Sequence, residues 1–175
     1  QENADKIGIS RKQVKTVTYC FLYGGGDIKI GHSYDKQLSE DKARKKGKEI
    51  RKAYIEAIPG LKELLEGVHK ASERGYVLGL DKRKILVDKA HKSLNYLLQG
   101  SAAIIAKRWM VITNDHIKEM DLRCNQLAFI HDELQFESKP EHVDDLKSIL
   151  VLSAAEAGEY YNMRIPVDAE AKDGS

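Results

Sequence analysis

Apolar residues recur along most of this sequence at the three-to-four-residue spacing of a helix, and only two short stretches break that pattern. The first helix is predicted over 11–23, after a capping Ser10 and before three consecutive glycines. Its apolar stripe consists of Val14, Val17 and Phe21. Further helices are predicted to begin near residues 39, 61, 93 and 140. The chain is therefore constrained to a mainly helical fold with little sheet.

Two β patterns complete the prediction. Tyr76–Leu80 and Arg83–Val87 are expected to pair as a hairpin, and a second strand–turn–strand is centred on His131 and Asp132. The run Leu127–Ile130 is wholly apolar, so we expect a buried strand that anchors this turn. The predicted fold class is α+β, with a small antiparallel sheet packed on helices.

Two of the helices have informative faces. The helix over 93–118 is expected to bury Leu94, Leu98, Ala102, Ile105 and Trp109. The helix that begins near residue 39 carries a basic run of Lys42, Arg44, Lys45, Lys46, Lys48, Arg51 and Lys52. Because the run goes right round the helix, a solvated surface is the favoured interpretation, and contact with phosphates is the alternative.

The composition excludes several classes of protein. Hydrophobic residues make up 42% and charged residues 32% of the 175 residues, which is typical of a globular chain and not of a disordered one. No apolar run approaches the roughly 18 residues of a membrane span, and no signal peptide is recognisable, so we expect a soluble, cytoplasmic protein. Cys20 and Cys124 both lie in apolar segments, which argues against a disulfide scaffold or a zinc site.

One face of the first predicted helix carries four residues at four-residue spacing, Arg11, Lys15, Tyr19 and Tyr23. Two cations followed by two aromatic rings suit a nucleotide, because cations bind phosphate oxygens and rings pack against sugar and base. The alternative is an ordinary amphipathic helix, with solvated cations and with tyrosines at the rim of the core.

A second candidate site is the predicted turn His131-Asp132-Glu133 between two strands. A carboxylate on such a turn projects outward, where its oxygens can bind a hard divalent cation. The alternative is structural, since Asp is a favoured turn residue and Glu133 begins a strand with an exposed face.

A third candidate site consists of His91, Asn95 and Gln99, again at four-residue spacing on a predicted helix. Amide side chains on this face are able to hydrogen-bond base edges in a minor groove. An exposed polar helix face is the alternative interpretation.

Together, in this order, the motifs resemble those of the family A DNA polymerases, the polymerase I family. Motif B of the fingers helix is matched by Arg11-x3-Lys15-x3-Tyr19-x3-Tyr23-Gly24, which is followed later by Leu97-Leu98-Gln99-Gly100-Ser101-Ala102. Motif C of the palm is matched by Phe129-Ile130-His131-Asp132-Glu133. The resemblance extends over essentially the whole chain.

Three features of the resemblance indicate the bacteriophage replicative branch: Tyr19, the short spacing between motifs, and His91. Single-subunit RNA polymerases have a related layout, but as a rule carry Met at the position of Tyr19 and Ser at that of Glu133. This difference favours DNA synthesis.

The resemblance implies a role for each residue of the first stripe. Arg11 and Lys15 would hold the incoming deoxynucleoside triphosphate, with Lys15 as the proton donor to the leaving pyrophosphate. Tyr19 would lie against the nucleotide sugar, and Tyr23 near the nascent base pair. A hinge at Gly24 would help the fingers to close.

The other two sites also acquire implied roles. Asp132 would be one of two aspartates that hold two Mg²⁺ ions, with Glu133 as a neighbour of the metal site. Asn95 and Gln99 would check the minor groove of primer-template DNA. The histidines His91 and His131 would lie near the primer strand.

The resemblance has a gap before Arg11, where nothing matches motif A, which carries the family's other metal-binding Asp. Nothing matches a thumb or an exonuclease domain either. We therefore interpret the chain as fingers over 1–88 and part of the palm over 89–175, a fragment that is inactive without the rest of the polymerase chain. An unpaired edge of the motif C hairpin, 129–136, would favour self-association. The alternative is a non-catalytic nucleic-acid-binding or accessory protein derived from this fold.

Overall fold

The computed structural model describes residues 10–174, except for the side chains of Arg11 and Lys12. Within these residues the chain divides into two compact units. The first unit runs to Gly79 and resumes over Arg83–Leu98, and the second consists of Leu80–Lys82 and the chain from Gln99 onward. Each unit contains helices and one two-stranded antiparallel sheet, so the fold is α+β, as predicted.

Helices dominate the first unit. Its elements are α1 (Arg11–Leu22), α2 (Asp27–Tyr34), α3 (Glu40–Ala57), α4 (Leu61–Ser72), β1 (Tyr76–Leu78), β2 (Lys84–Leu86) and a 3₁₀ turn (Ala90–Lys92). Helix α5 (Ser93–Glu119) begins in the first unit and continues into the second. The other elements of the second unit are β3 (Cys124–Ile130), β4 (Glu133–Ser138), a 3₁₀ turn (Pro140–His142) and α6 (Val143–Tyr160).

Helix α1 begins as the sequence predicts, because Ser10 forms a reciprocal cap. The Ser10 hydroxyl accepts a hydrogen bond from the Gln13 backbone N–H (3.3 Å), and the Gln13 side-chain oxygen accepts one from the Ser10 N–H (3.0 Å). Val17 and Phe21 are buried on the inner face. The first predicted helix is therefore confirmed, and it ends at Leu22.

Helix α2 was not predicted, because it has only eight residues and follows three glycines. It packs directly on α3 through small residues. A Cβ atom at Gly31 would overlap the Ala43 carbonyl, and one at Gly47 would overlap the Asp27 carbonyl. The two helices therefore approach each other backbone to backbone, and glycine is required at both contacts.

The core of the first unit draws on every helix of that unit. Its buried members are Val17, Cys20, Phe21, Ile30, Ile50, Tyr54, Leu61, Val68, Val77 and Leu94. The predicted hairpin is present, since β1 and β2 pair antiparallel. Val77 of β1 is part of the core, so one face of the hairpin lies against it. The burial of these side chains is the main source of stability for the unit.

In the second unit, α5, α6 and the β3–β4 hairpin line a common groove. The Trp109 indole N–H donates a hydrogen bond to the Leu150 carbonyl (2.8 Å), which joins α5 to α6. Strands β3 and β4 pair antiparallel, with an irregular register at Leu127, and only two residues separate them. The predicted strand–turn–strand is confirmed.

Two predictions of burial are wrong. Leu98 and Ala102 of α5 are exposed, although Leu94 on the same predicted face is buried. Leu127 is 62% and Ile130 49% exposed, so the apolar end of β3 is not a buried strand. The described sheet has two strands, and Leu127 lines an open groove and not a closed core. No helix in the described part of the chain is long and apolar enough to cross a membrane.

Candidate functional site

The stripe predicted on α1 is exposed. Lys15 lies on the surface, and Tyr19 and Tyr23 are each 51% exposed. The two rings are neighbours, with centroids 6.3 Å apart and planes inclined by 31°. Arg11 begins the helix in the same register, although its side chain lies outside the described residues. Helix α1 therefore presents a cation and two adjacent rings on one surface.

The inner face of α1 explains why the rings stay outside. Phe21 packs on Tyr54 of α3 with ring centroids 4.8 Å apart, and Val17 is buried beside it in the core. Because these contacts set the rotation of the helix, Tyr19 and Tyr23 project away from the core. Half exposure of the two rings fits both interpretations, a binding surface and the rim of the core.

Three glycines follow Tyr23 and join α1 to α2, and the first two of them, Gly24 and Gly25, are tightly packed. Gly24 has a φ of 72°, a left-handed conformation that favours glycine. A Cβ atom at Gly24 would overlap the His91 carbonyl oxygen, and one at Gly25 would overlap the Cys20 sulfur. The joint therefore brings the backbone of His91 to the end of α1.

The placement of His91 differs from the prediction. It lies exposed in the 3₁₀ turn before α5 and not on the helix face that carries Asn95 and Gln99. Asn95 and Gln99 do lie one turn apart on α5, so helical periodicity places those two on one face. The structure thus places His91 just before α5, with its backbone carbonyl against Gly24 at the end of α1.

A hydrogen bond steadies the turn that carries His91. The Tyr96 hydroxyl donates to the Asp88 carboxylate at 2.6 Å, across the base of the turn. This bond lowers the pKa of Asp88 and raises the pKa of Tyr96, because it stabilises the carboxylate and retains the phenol proton.

Sequence reasoning missed Arg51, which it assigned to the solvated basic run. Its Nε donates to the Asp27 carboxylate and its Nη2 to the Gly25 carbonyl, both at 2.7 Å. The solvated interpretation is therefore wrong for Arg51, whereas Lys42, Arg44, Lys45 and Lys48 are exposed. The available signal was Gly47, one turn earlier, because a glycine inside a helix often marks a close approach by another backbone.

The second candidate site lies at the tip of the β3–β4 hairpin. His131, Asp132 and Glu133 are all exposed there. His131 has a φ of 56°, a conformation that is uncommon for a residue with a side chain. The Glu133 carboxylate accepts a hydrogen bond from the Gln135 amide (2.8 Å). Glu133 is therefore engaged along its own strand, while Asp132 projects from the turn.

A groove adjoins this turn within the second unit. Its volume is about 1160 Å³, and α5, the β3–β4 hairpin, α6 and the segment 167–174 line it, with Asp132 and Glu133 among the lining residues. An ion pair between Lys147 and Asp173 (2.6 Å) ties the last segment to α6. Among the residues that the structure describes, no three His, Cys, Asp or Glu side chains converge as a metal site. Asp132 therefore fits a metal as a single ligand and not as a complete site.

A separate charged cluster joins the helices of the second unit. His116 of α5 lies 2.7 Å from the Glu156 carboxylate of α6, and its other ring nitrogen lies 3.6 Å from Glu119. The hydrogen bond to Glu156 is the main reason why the pKa of His116 is raised, and the negative charges of both glutamates add to it. This cluster stabilises the contact between α5 and α6.

Comparisons with known proteins give one consistent result. The sequence matches the family model of DNA polymerase family A over residues 3–175. It is 31% identical over 172 residues to the DNA-directed DNA polymerase of Escherichia phage Phieco32, covering 94% of this chain and 27% of that protein. It is 30% identical over 190 residues to the DNA-directed DNA polymerase of Escherichia phage T7, covering 94% of this chain and 26% of that protein. Bacterial DNA polymerases I match as well.

Among solved structures, the chain resembles the POL domain of Pol1 from M. smegmatis, in complex with DNA primer-template and dNTP. The TM-score is 0.76 at 22% sequence identity, and the match covers 98% of this chain and 32% of that chain. The likeness confirms the fold. The chain spans about a quarter of the length of the two phage relatives.

Proposed function

This chain belongs to DNA polymerase family A, and from that premise we propose that it supplies the nucleotide-binding helix and part of the metal site of a template-directed DNA polymerase. The enzyme would transfer a deoxynucleotide from a dNTP to the 3′-hydroxyl of a primer. The observation that carries the proposal is the exposed stripe of Lys15, Tyr19 and Tyr23 on a helix whose rotation is set by its buried face.

The residues of the stripe would contact the phosphates, the sugar and the base of a nucleotide in the order in which they occur along α1. Arg11 and Lys15, at the start of α1, bind the triphosphate, and Lys15 donates a proton to the leaving pyrophosphate. One turn further along, Tyr19 lies against the sugar. Tyr23 packs near the new base pair, and its neighbour Gly24 begins the joint at which the fingers move.

The metal requirement rests on the hairpin turn. Polymerases of this family are generally metal dependent. An exposed carboxylate on a turn suits a hard divalent cation, and we propose that Asp132 holds Mg²⁺ together with an aspartate from the rest of the polymerase chain. Two bound ions would activate the primer hydroxyl and stabilise the departing phosphate. Glu133, engaged by Gln135, stays at the edge of this site.

We assign the contacts with DNA to the remaining polar residues. Asn95 and Gln99, one turn apart on α5, read minor-groove acceptors of the primer-template. His131 lies near the primer strand, next to Asp132. We assign His91 to the same strand, with the difference that it reaches the DNA from the turn before α5 and not from α5 itself.

The larger assignments rest on the family. We propose that residues 1–88 are fingers and 89–175 part of the palm, within a longer polymerase of the phage replicative branch that works in the cytoplasm of a bacterial or phage-infected cell. Tyr19 and the phage relatives at 30–31% identity support that branch.

The two-stranded β3–β4 sheet leaves strand edges that favour self-association of the isolated chain. Sedimentation velocity that finds only monomer at high concentration would contradict this.

Primer extension by the complete polymerase tests the proposed function. We expect Asp132→Asn to lower kcat by several orders of magnitude, roughly 4 kcal/mol or more of barrier, while DNA affinity stays largely intact. Asp121→Asn is the matched control, because Asp121 is exposed with a φ of 51°, a conformation that Asn tolerates. Equal extension by both variants would remove Asp132 from the metal site.

A second candidate function is a non-catalytic nucleic-acid-binding protein derived from the same fold. The solitary position of Asp132 among the described residues favours it. A gene that encodes an Asp-x-Ser-x-x-Glu motif shortly upstream of Gln1 would decide for the polymerase, and a start codon beside Gln1 would decide for the accessory protein.

A further inference from the structure

The joint between α1 and α2 is held from both sides. The Gly24 and Gly25 amides donate to the Phe21 and Cys20 carbonyls of the last turn of α1, at 3.0 and 2.8 Å. These bonds fold the chain back on the helix end. The Gly25 carbonyl is left for another donor, and that donor is Arg51 of α3.

The Arg51 side chain contacts three elements at once. One nitrogen donates to Gly25 in the joint and another to Asp27 in the first turn of α2, both at 2.7 Å. The guanidinium carbon also lies 5.5 Å from the centre of the Phe21 ring in α1. A planar group with donors on separate nitrogens matches this arrangement, whereas a lysine ammonium is a single point donor.

We infer that Arg51 is a positioning residue, which sets the angle of α1 against α2 and α3 and thereby places Tyr19 and Tyr23 for the incoming nucleotide. The inference rests on the proposed function of the tyrosine stripe. Tyr23 directly precedes the joint, so a change in the chain path at Gly25 moves Tyr23 first and its neighbour Tyr19 with it.

Anchoring of α1 and positioning of α1 have different sources. Val17 and Phe21 attach the helix to the core whether or not Arg51 is present. Arg51 is two-thirds buried. Its hydrogen bonds lie at the joint, so their loss makes the backbone that leaves α1 less constrained. Arg51 substitutions should therefore alter nucleotide use more than they alter folding.

The test compares Arg51→Lys with Arg44→Lys in the complete polymerase, by single-nucleotide incorporation. Arg44 is an exposed arginine of the same helix, so its substitution preserves charge and disturbs no contact at the joint. For Arg51→Lys we expect the dNTP KM to rise about tenfold, which corresponds to one lost charge-assisted hydrogen bond, and kcat to change less. Arg44→Lys should match the wild type. Unchanged nucleotide KM in Arg51→Lys would overturn the inference.

Amide hydrogen exchange over residues 23–26 gives a readout that does not need activity. Arg51→Lys and Asp27→Asn should both speed exchange there, and the double variant should be no faster than Arg51→Lys alone, because both changes break one contact. Unchanged exchange would overturn the inference even if the enzyme is active. If the wild-type enzyme incorporates no nucleotide, the proposed function fails, and exchange alone then decides whether Arg51 holds α1.

Discussion

The two candidate sites of this chain differ in how much of each site the fold supplies. On α1, a single helix presents Lys15, Tyr19 and Tyr23, and buried neighbours and the Arg51 contacts hold that helix in place. At the hairpin tip, Asp132 shares a two-residue turn with His131, at the end of a strand whose Leu127 and Ile130 are exposed.

The difference follows from what each ligand requires. A nucleotide is long, and residues four apart on one helix are spaced to meet its phosphates, sugar and base in turn. A pair of metal ions is compact, and needs carboxylates that converge from separate strands. Under the proposed function, one helix would supply most of the nucleotide site, whereas one hairpin would supply only part of the metal site.

The sharpest test of this comparison uses the isolated 175-residue chain. We expect no Mg²⁺-dependent primer extension, because one aspartate does not hold two ions in line. The complete polymerase, assayed on the same primer-template, is the positive control. Robust extension by the isolated chain would show that the hairpin site is sufficient after all.

The next largest effect concerns one oxygen atom on α1. In the proposed site, a nucleotide without a 3′-hydroxyl would leave a gap beside Tyr19, which the phenol oxygen would fill as a hydrogen-bond partner. We expect the complete enzyme to accept dideoxynucleotides almost as readily as normal ones. Tyr19→Phe should restore selectivity by about a hundredfold or more, each factor of ten being about 1.4 kcal/mol.

Competitive single-nucleotide incorporation measures this ratio in the two proteins. Tyr76→Phe is a control, because Tyr76 belongs to β1 and not to the stripe on α1. If the wild type and Tyr19→Phe give the same ratio of dideoxy to normal kcat/KM, Tyr19 does not contact the sugar.

The cations at the start of α1 should have smaller effects. Each charge-assisted contact to the triphosphate is worth roughly 1.5–3 kcal/mol. We expect Arg11→Ala mainly to raise the dNTP KM, and Lys15→Ala mainly to lower kcat, in steady-state assays of the complete enzyme. Lys45→Ala, which removes an exposed cation of α3, should leave both parameters unchanged. The opposite pattern would assign the phosphates to the basic face of α3.

The smallest expected effect concerns stability in the second unit. The pKa of His116 is raised by its bond to Glu156, so the protonated ring stabilises the fold. That contribution is complete below the ordinary histidine pKa of about 6.5 and is lost as pH rises through the raised value. Because the pair is partly exposed, we expect under about 1 kcal/mol.

Urea unfolding at several pH values, followed by fluorescence of the single Trp109 in the second unit, measures this contribution. His116→Gln should remove the dependence. His69→Gln should not, since His69 is exposed and lies 4.0 Å from its nearest carboxylate, Glu73. Identical pH profiles for wild type and His116→Gln would refute the assignment.

Local signals made much of this structure predictable. Helix α1 is predicted by the Ser10 cap, its apolar spacing and its terminal glycines. The turn at Asp132 is predicted by the apolar run before it and the alternating apolar and polar residues after it. These features depend only on neighbours in sequence. They also located the residues of both candidate sites.

What the sequence did not reveal depends on distant contacts. In the sequence, Arg51 looks like the surface cations around it. Only the fold brings α2 and the Gly25 carbonyl within reach of its side chain. Leu127 is predicted to be buried because it is apolar, but whether a strand face is buried depends on which elements pack against it. Such contacts have no local signature, apart from Gly47, where a missing side chain marks a close approach.

The packing of Cys20 beneath Gly25 gives the joint a built-in chemical reporter. The thiol is buried, so a maleimide reaches it only in molecules whose joint has opened. Cys124 would react as background, slowed because burial raises the pKa of its thiol, and Cys124→Ser removes it. In that single-thiol protein the labelling rate measures how often the joint opens, and it can be read with or without DNA and without any fluorescent label on the substrate.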